Sequence, residues 1–268
     1  MLDGIYRYHY NKNWKRSWHF DETGSVDMRY PALDGIRGAA LVSMILYHAV
    51  WDLVYLFDIG MPWYQSQGGY FWQQSICWAF ILLSGFCWPL GRHKIKRGLV
   101  VFGAGALVTG TTTLFVPEGQ ILFGVLTLLG SCMLLMVPLE KLLAQAAPWA
   151  GCLAGMALFL LFRDINDGYL GFEGLRLCRM PEGLYRNLLT TYLGFPAADF
   201  YSADYFSLFP WLFLFLTGYF LYRLVEKLGR LDRLFSQKVP VLEWMGRHSL
   251  GIYLVHQPLV YGILLGVF

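Results

Sequence analysis

The sequence predicts an all-α, polytopic transmembrane helical bundle of about seven spans, with its amino terminus inside the cell. Of the 268 residues, 56% are hydrophobic and only 15% are charged, whereas soluble domains contain about 25% charged residues. Apolar runs of about 20 residues, the length that crosses a bilayer as a helix, recur from residue 33 onward. Together these features exclude an ordinary soluble domain.

The predicted spans follow those apolar runs in chain order. They lie near 33–56, 70–90, 98–116, 120–138, 148–162, 205–223 and 249–268. The stretch YRNLLTTYLGF (185–195) is a candidate re-entrant segment, which enters the membrane without crossing it. Residues 1–28 are predicted to form a cytoplasmic amino-terminal tail, and residues 29–268 are predicted to form one transmembrane domain.

The positions of lysine and arginine set the predicted orientation, because loops rich in these residues stay on the cytoplasmic side. Residues 1–29 contain five of them, the loop GRHKIKR (91–97) contains four, and the segment 223–247 contains six. The segments 57–69 and 117–119 contain none. The spans therefore alternate from an inside start, although the 163–204 connection, predicted outside, carries four arginines among acidic residues.

Composition argues against several other functions. There are five cysteines without a CxxC spacing, which predicts neither a disulfide framework nor a zinc site, so no metal is expected. The net charge of +3 is too small to indicate a nucleic-acid partner. The polar residues inside the spans are therefore the candidates for function.

The first span, PALDGIRGAALVSMILYHAVWDLVYL, contains Asp34, Arg37, His48 and Asp52. A charge at the centre of a membrane costs roughly 2.5–3.5 kcal/mol, so this concentration needs a reason. At 100° per residue the four residues share an arc of about 60°, which places them all on one side of the helix. His48 and Asp52 are four residues apart, so the carboxylate is predicted to orient the imidazole as a general base.

Structural explanations of the same four residues stay open. Asp34 and Arg37 are three residues apart and can form an interfacial ion pair that caps the helix. His48 and Asp52 can form a buried pair that only joins helices. Under the functional interpretation, Arg37 lies near the cytoplasmic face and His48 lies about 16 Å further along the axis, at 1.5 Å per residue.

The last span and the turn before it read EWMGRHSLGIYLVHQPLVYG (243–262). Its polar residues share an arc of about 100° on a helix, and they are Ser249, Tyr253, His256 and Gln257. We predict that they form a second polar wall of the same cavity and bind the acceptor substrate. The alternative is a packing helix with a hydrogen-bonded histidine, kinked at Pro258.

Two other spans contain candidate site residues. In YSADYFSLFPWLFLFLTGYFLYR (201–223), Asp204 and Trp211 are predicted to bind a polar acceptor, against the alternatives of a solvated carboxylate and an interfacial aromatic belt. In FILLSGFCWPLGR (80–92), Ser84 is a candidate nucleophile of an intramembrane hydrolase, with His256 as its base. The small pair Ser84-Gly85 otherwise permits close helix packing.

The basic residues of the 91–97 loop are predicted to join those of the first and last spans in holding phosphates. Arginine and lysine suit this role because they donate charge-assisted hydrogen bonds. The predicted donor site consists of Asp34, Arg37, Arg92, Lys94, Arg97 and Arg247. The alternative is that the loop only sets the orientation of the chain.

Four segments together resemble bacterial members of the heparan-α-glucosaminide N-acetyltransferase-like group of integral membrane acyltransferases. They are LDGIRG, LYHAVWDL, SADYFSLFPWLFLFLTGYFLYR and WMGRHSLGIYLVHQP, and the resemblance extends from about Arg29 to Tyr261. It implies transfer of an acyl group, typically acetyl, from cytoplasmic acyl-CoA to a hydroxyl or amine, often on a sugar at the outer face. One departure is Thr127, where many relatives are expected to have histidine.

The resemblance and the polar stripe together predict a multi-pass acyltransferase of the cell membrane, with acyl-CoA, most simply acetyl-CoA, as donor. The predicted partners are the lipid bilayer, a sugar or cell-envelope glycan as acceptor, and a second copy of the chain in a homodimer. A different class of function, a non-enzymatic transporter or membrane assembly subunit, would use the same polar stripe, because buried ionisable groups also mark transport pathways.

Overall fold

A computed structural model describes residues 19–20, 26–27 and 30–268, and the predicted tail 1–28 lies almost entirely outside these residues. The helices of the described part are α1 Pro31–Tyr55, α2 Gln67–Phe86, α3 Lys94–Phe115, α4 Val125–Leu143, α5 Pro148–Leu161, α6 Leu188–Leu193, α7 Leu208–Lys227, α8 Leu231–Phe235, α9 Pro240–Arg247 and α10 Ser249–Val267. The short strands are β1 His19–Phe20, β2 Val26–Asp27, β3 Tyr169–Phe172 and β4 Leu175–Arg179. Single 3₁₀ turns occupy Pro117–Gly119, Ile165–Asp167 and Glu182–Leu184.

The all-α polytopic class predicted from the sequence is confirmed. Within the described residues, five helices are long and apolar enough to cross a membrane, namely α1, α3, α4, α7 and α10. Helix α2 has 20 residues and α5 has 14, so the count of seven spans stays a prediction. The predicted fourth span began too early, because Pro117–Gly119 forms a turn and α4 begins at Val125.

Local sequence explains where several helices begin. Proline stands in the first turn of α1, α5 and α9, where its missing N–H has no helical partner to lose. The Ser66 side chain accepts a hydrogen bond from the Gly68 backbone and caps α2. Asn187 forms a capping box with Thr190 at the start of α6, so the candidate re-entrant segment contains only a six-residue helix.

The α5–α7 connection contains a hairpin that was not predicted from the sequence. Strands β3 and β4 pair antiparallel, with a register shift between Leu170 and Gly171. The turn between the strands is formed by Glu173 and Gly174, both with positive φ. This hairpin brings Glu173 over the amino-terminal end of α2, where its carboxylate accepts a hydrogen bond of 2.6 Å from the Tyr70 hydroxyl.

Close backbone contacts at glycine determine how the helices pack. A Cβ added at Gly38 of α1 would lie 2.0 Å from the Leu242 carbonyl oxygen of α9, and one at Gly246 of α9 would lie 1.9 Å from the Asp34 carbonyl oxygen. The LDGIRG and WMGRHS segments are therefore two sides of one contact. Helices α2 and α7 repeat this arrangement through Gly85 and Gly218, as small residues do in membrane helix pairs.

The main hydrophobic core lies between α2, α4, α5 and α7. Side chains with almost no exposure meet there, including Ile81, Leu128, Met136, Phe159 and Phe215. Helices α3 and α10 instead expose most of their apolar surface in the described structure, as expected for helices that contact lipid. The polar faces of α1 and α10 consequently turn toward the interior.

Candidate functional site

A cavity of about 740 Å³ lies between α1, α2, α3, α4 and the α9–α10 segment. Its polar and titratable lining includes Asp34, Arg37, Tyr47, His48, Gln73, Cys77, Ser84, Cys87, Arg92, His93, Lys96, Arg97, Asp204, Arg247, Ser249 and Tyr253. We call it the large cavity. It has a basic end, at the amino-terminal turns of α1 and α3, and a far end near His48.

The predicted convergence of Asp34, Arg37 and His48 is therefore found, because all three line one cavity. At the basic end, Asp34 accepts a hydrogen bond of 2.7 Å from Arg37 and lies 3.9 Å from the guanidinium of Arg247. Arg247 also pairs with the buried Glu243 at 3.0 Å. Asp34 thus joins the arginines of α1 and the α9–α10 segment and fixes their positions.

The 91–97 loop divides between two environments. Arg92 and Arg97 line the large cavity as predicted, together with His93 and Lys96, which the predicted donor site did not include. Lys94 does not line the cavity. Its ammonium lies 2.6 and 2.7 Å from the two carboxylate oxygens of Glu140 on α4. The prediction that Lys94 holds phosphate is thus replaced by a structural ion pair between α3 and α4.

The predicted hydrogen bond between His48 and Asp52 is absent among the described residues. Asp52 is fully buried and does not line the large cavity. Its Oδ1 accepts a hydrogen bond of 2.7 Å from Gln257 on α10. The physical reason is that α10 packs against the carboxyl-terminal end of α1 and supplies a hydrogen-bond donor there. Asp52 and Gln257 therefore join the two helices rather than orient His48.

His48 lines the far end of the cavity with aromatic neighbours. Its ring centroid lies 5.1 Å from that of His256 and 5.8 Å from that of Tyr47. His256 does not line the cavity, and its Nδ1 lies 2.5 Å from the Tyr253 carbonyl oxygen. The second wall predicted on α10 is therefore only half formed. Ser249 and Tyr253 face the cavity, whereas His256 lies behind His48.

Ser84, the candidate hydrolase nucleophile, also lines the large cavity. Its proposed base, His256, is outside the lining, and no hydrogen bond joins the two side chains in the described part of the chain. A nucleophilic serine needs a base within hydrogen-bond reach. The arrangement therefore does not favour a serine hydrolase.

A second cavity, of about 400 Å³, lies beside the α5–α7 connection, and we call it the small cavity. Arg163 crosses its wall and donates hydrogen bonds to Tyr70 (3.1 Å) and to Gln74 (2.9 Å). The Arg163 guanidinium also lies 5.2 Å from the ring of Trp211. Trp211 lines this cavity and not the large one, whereas Asp204 lines both.

The two predicted acceptor residues of the α7 region thus have different surroundings. Trp211 is 5% exposed and packs against Phe159 and Phe206, which makes it largely a core residue that presents one edge to the small cavity. Asp204 lies in the loop before α7, and its carboxylate accepts a hydrogen bond from the Val125 backbone at the start of α4. Burial raises the pKa of Asp204 to about 6.

Within the described residues, no group of three or more histidine, cysteine, aspartate or glutamate side chains is arranged to hold a metal ion. The chemistry offered by the site is that of a basic cluster, a histidine and hydroxyl groups along one cavity. Polar groups with these properties inside a helical membrane bundle define a multi-pass membrane protein with an enzyme-like interior site.

Comparison with known families places this protein in one of them. Residues 29–258 match the family described as heparan-alpha-glucosaminide N-acetyltransferase, catalytic, and the chain belongs to that family. The match confirms the resemblance seen in the four segments and covers every predicted site residue. No curated protein and no solved structure matches the chain.

Proposed function

We propose that this protein transfers an acyl group, most simply acetyl, from cytoplasmic acyl-CoA to a hydroxyl or amine of a sugar-like acceptor at the outer face of the cell membrane. One observation carries the proposal. A single cavity extends from a cluster of cationic side chains to His48, about 16 Å along α1 from Arg37. An acyl-CoA has the same two-ended character, with phosphates at one end and a thioester at the other.

The basic end would hold the phosphates of the donor. Arg37, Arg92, Lys96, Arg97 and Arg247 line the cavity there, and charge-assisted hydrogen bonds to phosphate are roughly twice as strong as neutral ones. The ion pairs of Asp34 hold two of these guanidinium groups in position before the donor binds, which lowers the entropy cost of binding.

At the far end, His48 would act as the base. The acceptor nitrogen or oxygen attacks the thioester carbonyl, its proton passes to the His48 imidazole, the carbon–sulfur bond breaks, and His48 returns the proton to the CoA thiolate. The hydroxyl groups of Tyr253 and Ser249 line the same cavity and would donate to the oxyanion. An acyl-His48 intermediate fits the same geometry, and neither route is favoured by an observation on the chain.

The proposal is tested with purified protein and acetyl-CoA, by measuring CoA release with a thiol reagent. We expect His48→Ala to lose most turnover, by about 10²–10⁴-fold, the usual contribution of a general base. His248→Ala is the matched control, because His248 is exposed and lines neither cavity. Full activity in His48→Ala would remove His48 from the mechanism.

A transporter or assembly subunit is separated from the enzyme by one measurement. Calorimetry with CoA should give binding that depends on the basic end of the large cavity. Absence of CoA binding to folded protein would contradict the enzyme and leave the polar interior to another role.

A further inference from the structure

The large and small cavities share part of their walls. Among the residues that the structure describes, three line both of them, and they are Gln73, Asp204 and Phe206. The two spaces are therefore separated by a single layer of side chains. Asp204 is the only titratable residue of the three, so a group in either cavity can reach the same carboxylate.

The surroundings of Asp204 come from several elements of the bundle. Its charge interacts with Tyr47 on α1, Cys77 on α2 and Tyr253 on α10, and Tyr253 and His48 line the large cavity with it. Asp204 thus lies at the His48 end of that cavity, far from the basic end. Under the proposed function, a molecule in the small cavity would therefore meet the reacting end of the donor across Asp204.

The small cavity carries mostly negative charge. In the described part of the chain, four carboxylates line it, from Asp164, Asp167, Glu173 and Asp204, against one guanidinium, from Arg163. That guanidinium is already engaged, because its Nε lies 3.2 Å from Glu173. An anionic molecule would therefore meet repulsion from the unneutralised carboxylates, whereas a cationic or uncharged one would not.

We propose that Asp204 is a catalytic residue that binds the acceptor's amine or hydroxyl group from the small cavity, and that this cavity selects cationic and neutral acceptors over anionic ones. The inference rests on the proposed function, and it adds the binding group and the charge class of the acceptor. For a protonated amine, Asp204 accepts one proton and releases it to water, which leaves the neutral amine to attack the thioester. The proton lost during the attack passes to His48 and then to the CoA thiolate, so the protons balance.

A purely structural role is the main competing explanation, because Asp204 accepts a hydrogen bond from Val125 at the start of α4. The variant Asp204→Asn separates the two roles. Asparagine keeps an oxygen that can accept the Val125 hydrogen bond but removes the charge that would bind an ammonium group. Asp199→Asn is the matched control, since Asp199 is exposed, lies five residues away and lines neither cavity.

The experiment measures CoA release from acetyl-CoA with glucosamine, glucose or glucuronate as acceptor probes, which are cationic, neutral and anionic. We expect glucosamine to exceed glucuronate by about tenfold or more in kcat/KM, as expected for a hydrogen bond to a charged group. Asp204→Asn should lower kcat/KM for glucosamine about tenfold, to a value close to that for neutral glucose. Asp199→Asn should match the wild type.

CoA binding by calorimetry, measured on the same samples, distinguishes the two proposals. If the wild-type protein does not bind CoA, the proposed function itself is overturned. With CoA binding intact, three results overturn the role of Asp204. They are an equal or greater rate with glucuronate, no stimulation by any of the three probes, and wild-type behaviour of Asp204→Asn.

Discussion

Two lysines of the 91–97 loop, two residues apart, have different surroundings. Lys96 lines the large cavity, whereas Lys94 forms an ion pair with Glu140 on α4. Both belong to the first turn of α3, and residues two apart on a helix point about 200° from each other. The sequence predicted a phosphate-binding loop, but it did not show where α3 begins. The position of that boundary decides which lysine faces the large cavity.

The different surroundings of these residues give a prediction for donor binding. Arg97→Met should weaken CoA binding by about tenfold, because the residue loses a charge-assisted contact with phosphate. Lys94→Met should change the affinity less than about twofold, since its ammonium pairs with Glu140 and the residue does not line the large cavity. Calorimetric titration with CoA measures both. Equal losses in the two variants would contradict this assignment of the basic end.

Asp204 gives a prediction for stability against pH. Burial raises its pKa to about 6, above the value of about 3.9 expected in an unfolded chain. The stability it contributes is therefore fully present below about pH 4 and is lost as the pH rises through about 6. Asparagine does not titrate, so Asp204→Asn does not lose this stability as the pH rises. The melting temperature of the variant minus that of the wild type should therefore be larger at pH 7.5 than at pH 4.

Thermal unfolding in detergent at the two pH values measures this difference. The expected change is up to about 10 °C, since a pKa raised from about 3.9 to about 6 corresponds to about 3 kcal/mol, and each kcal/mol to about 2–4 °C in proteins of this size class. Asp199→Asn should follow the wild type at both pH values. A melting difference between Asp204→Asn and the wild type that is the same at pH 4 and pH 7.5 would contradict a carboxylate that titrates with a raised pKa.

Helical periodicity predicted the direction of side chains better than their surroundings. It placed Asp34, Arg37, His48 and Asp52 on one side of α1, and the first three line one cavity. Asp52 shares the angle of Asp34 but lies near the other end of α1, where Gln257 covers it. Periodicity along one helix gives the direction of each side chain around the helix axis. Which residues cover that side chain depends on the other helices. That part of the site could not be predicted from one sequence.

The contact between α1 and α9 determines the shape of the basic end of the large cavity. The two helices approach at Gly38 and Gly246, and their carbonyl groups occupy the space that a side chain would need. This contact holds Arg37 and Arg247 on the two sides of Asp34. The sequence predicted arginines near each other but not the glycine contact that makes them neighbours.

Two alanine variants within LDGIRG test that contact. Gly38→Ala should destabilise the protein by about 1–3 kcal/mol, the usual cost of forcing an extra group into a packed site, and should weaken CoA binding because α9 must shift. Gly35→Ala should be neutral or slightly stabilising, by about 0.5–1 kcal/mol, since a Cβ there meets nothing within 4 Å. Melting curves and CoA titrations of the two variants are compared directly. Similar losses in both would contradict a specific role for the helix contact.

The hairpin β3–β4 shows why some elements escaped prediction. Its strands have four and five residues, and all five residues of β4 are exposed, so there is no alternation of apolar and polar residues to detect. Its position depends instead on contacts from distant parts of the chain, such as the pairs of Glu173 with Tyr70 and Arg163. Apolar length alone predicted the long helices well.

The two cavities should open to opposite sides of the membrane. The test introduces one cysteine at a time, Lys96→Cys or Asp167→Cys, in a Cys178→Ser background, because Cys178 is exposed. Both positions are exposed and line different cavities. In intact cells, a membrane-impermeant maleimide should label Asp167→Cys and spare Lys96→Cys until the cells are permeabilised. Labelling in the reverse order would contradict the predicted orientation.

The thin wall formed by Gln73, Asp204 and Phe206 has a consequence for the cell under the proposed function. Only the small acyl group is transferred across this wall, while CoA stays on one side and the acceptor stays on the other. No continuous water column has to form during a reaction cycle, so protons and ions have no route to leak through. The membrane potential is therefore preserved while acyl groups are moved to the outer side.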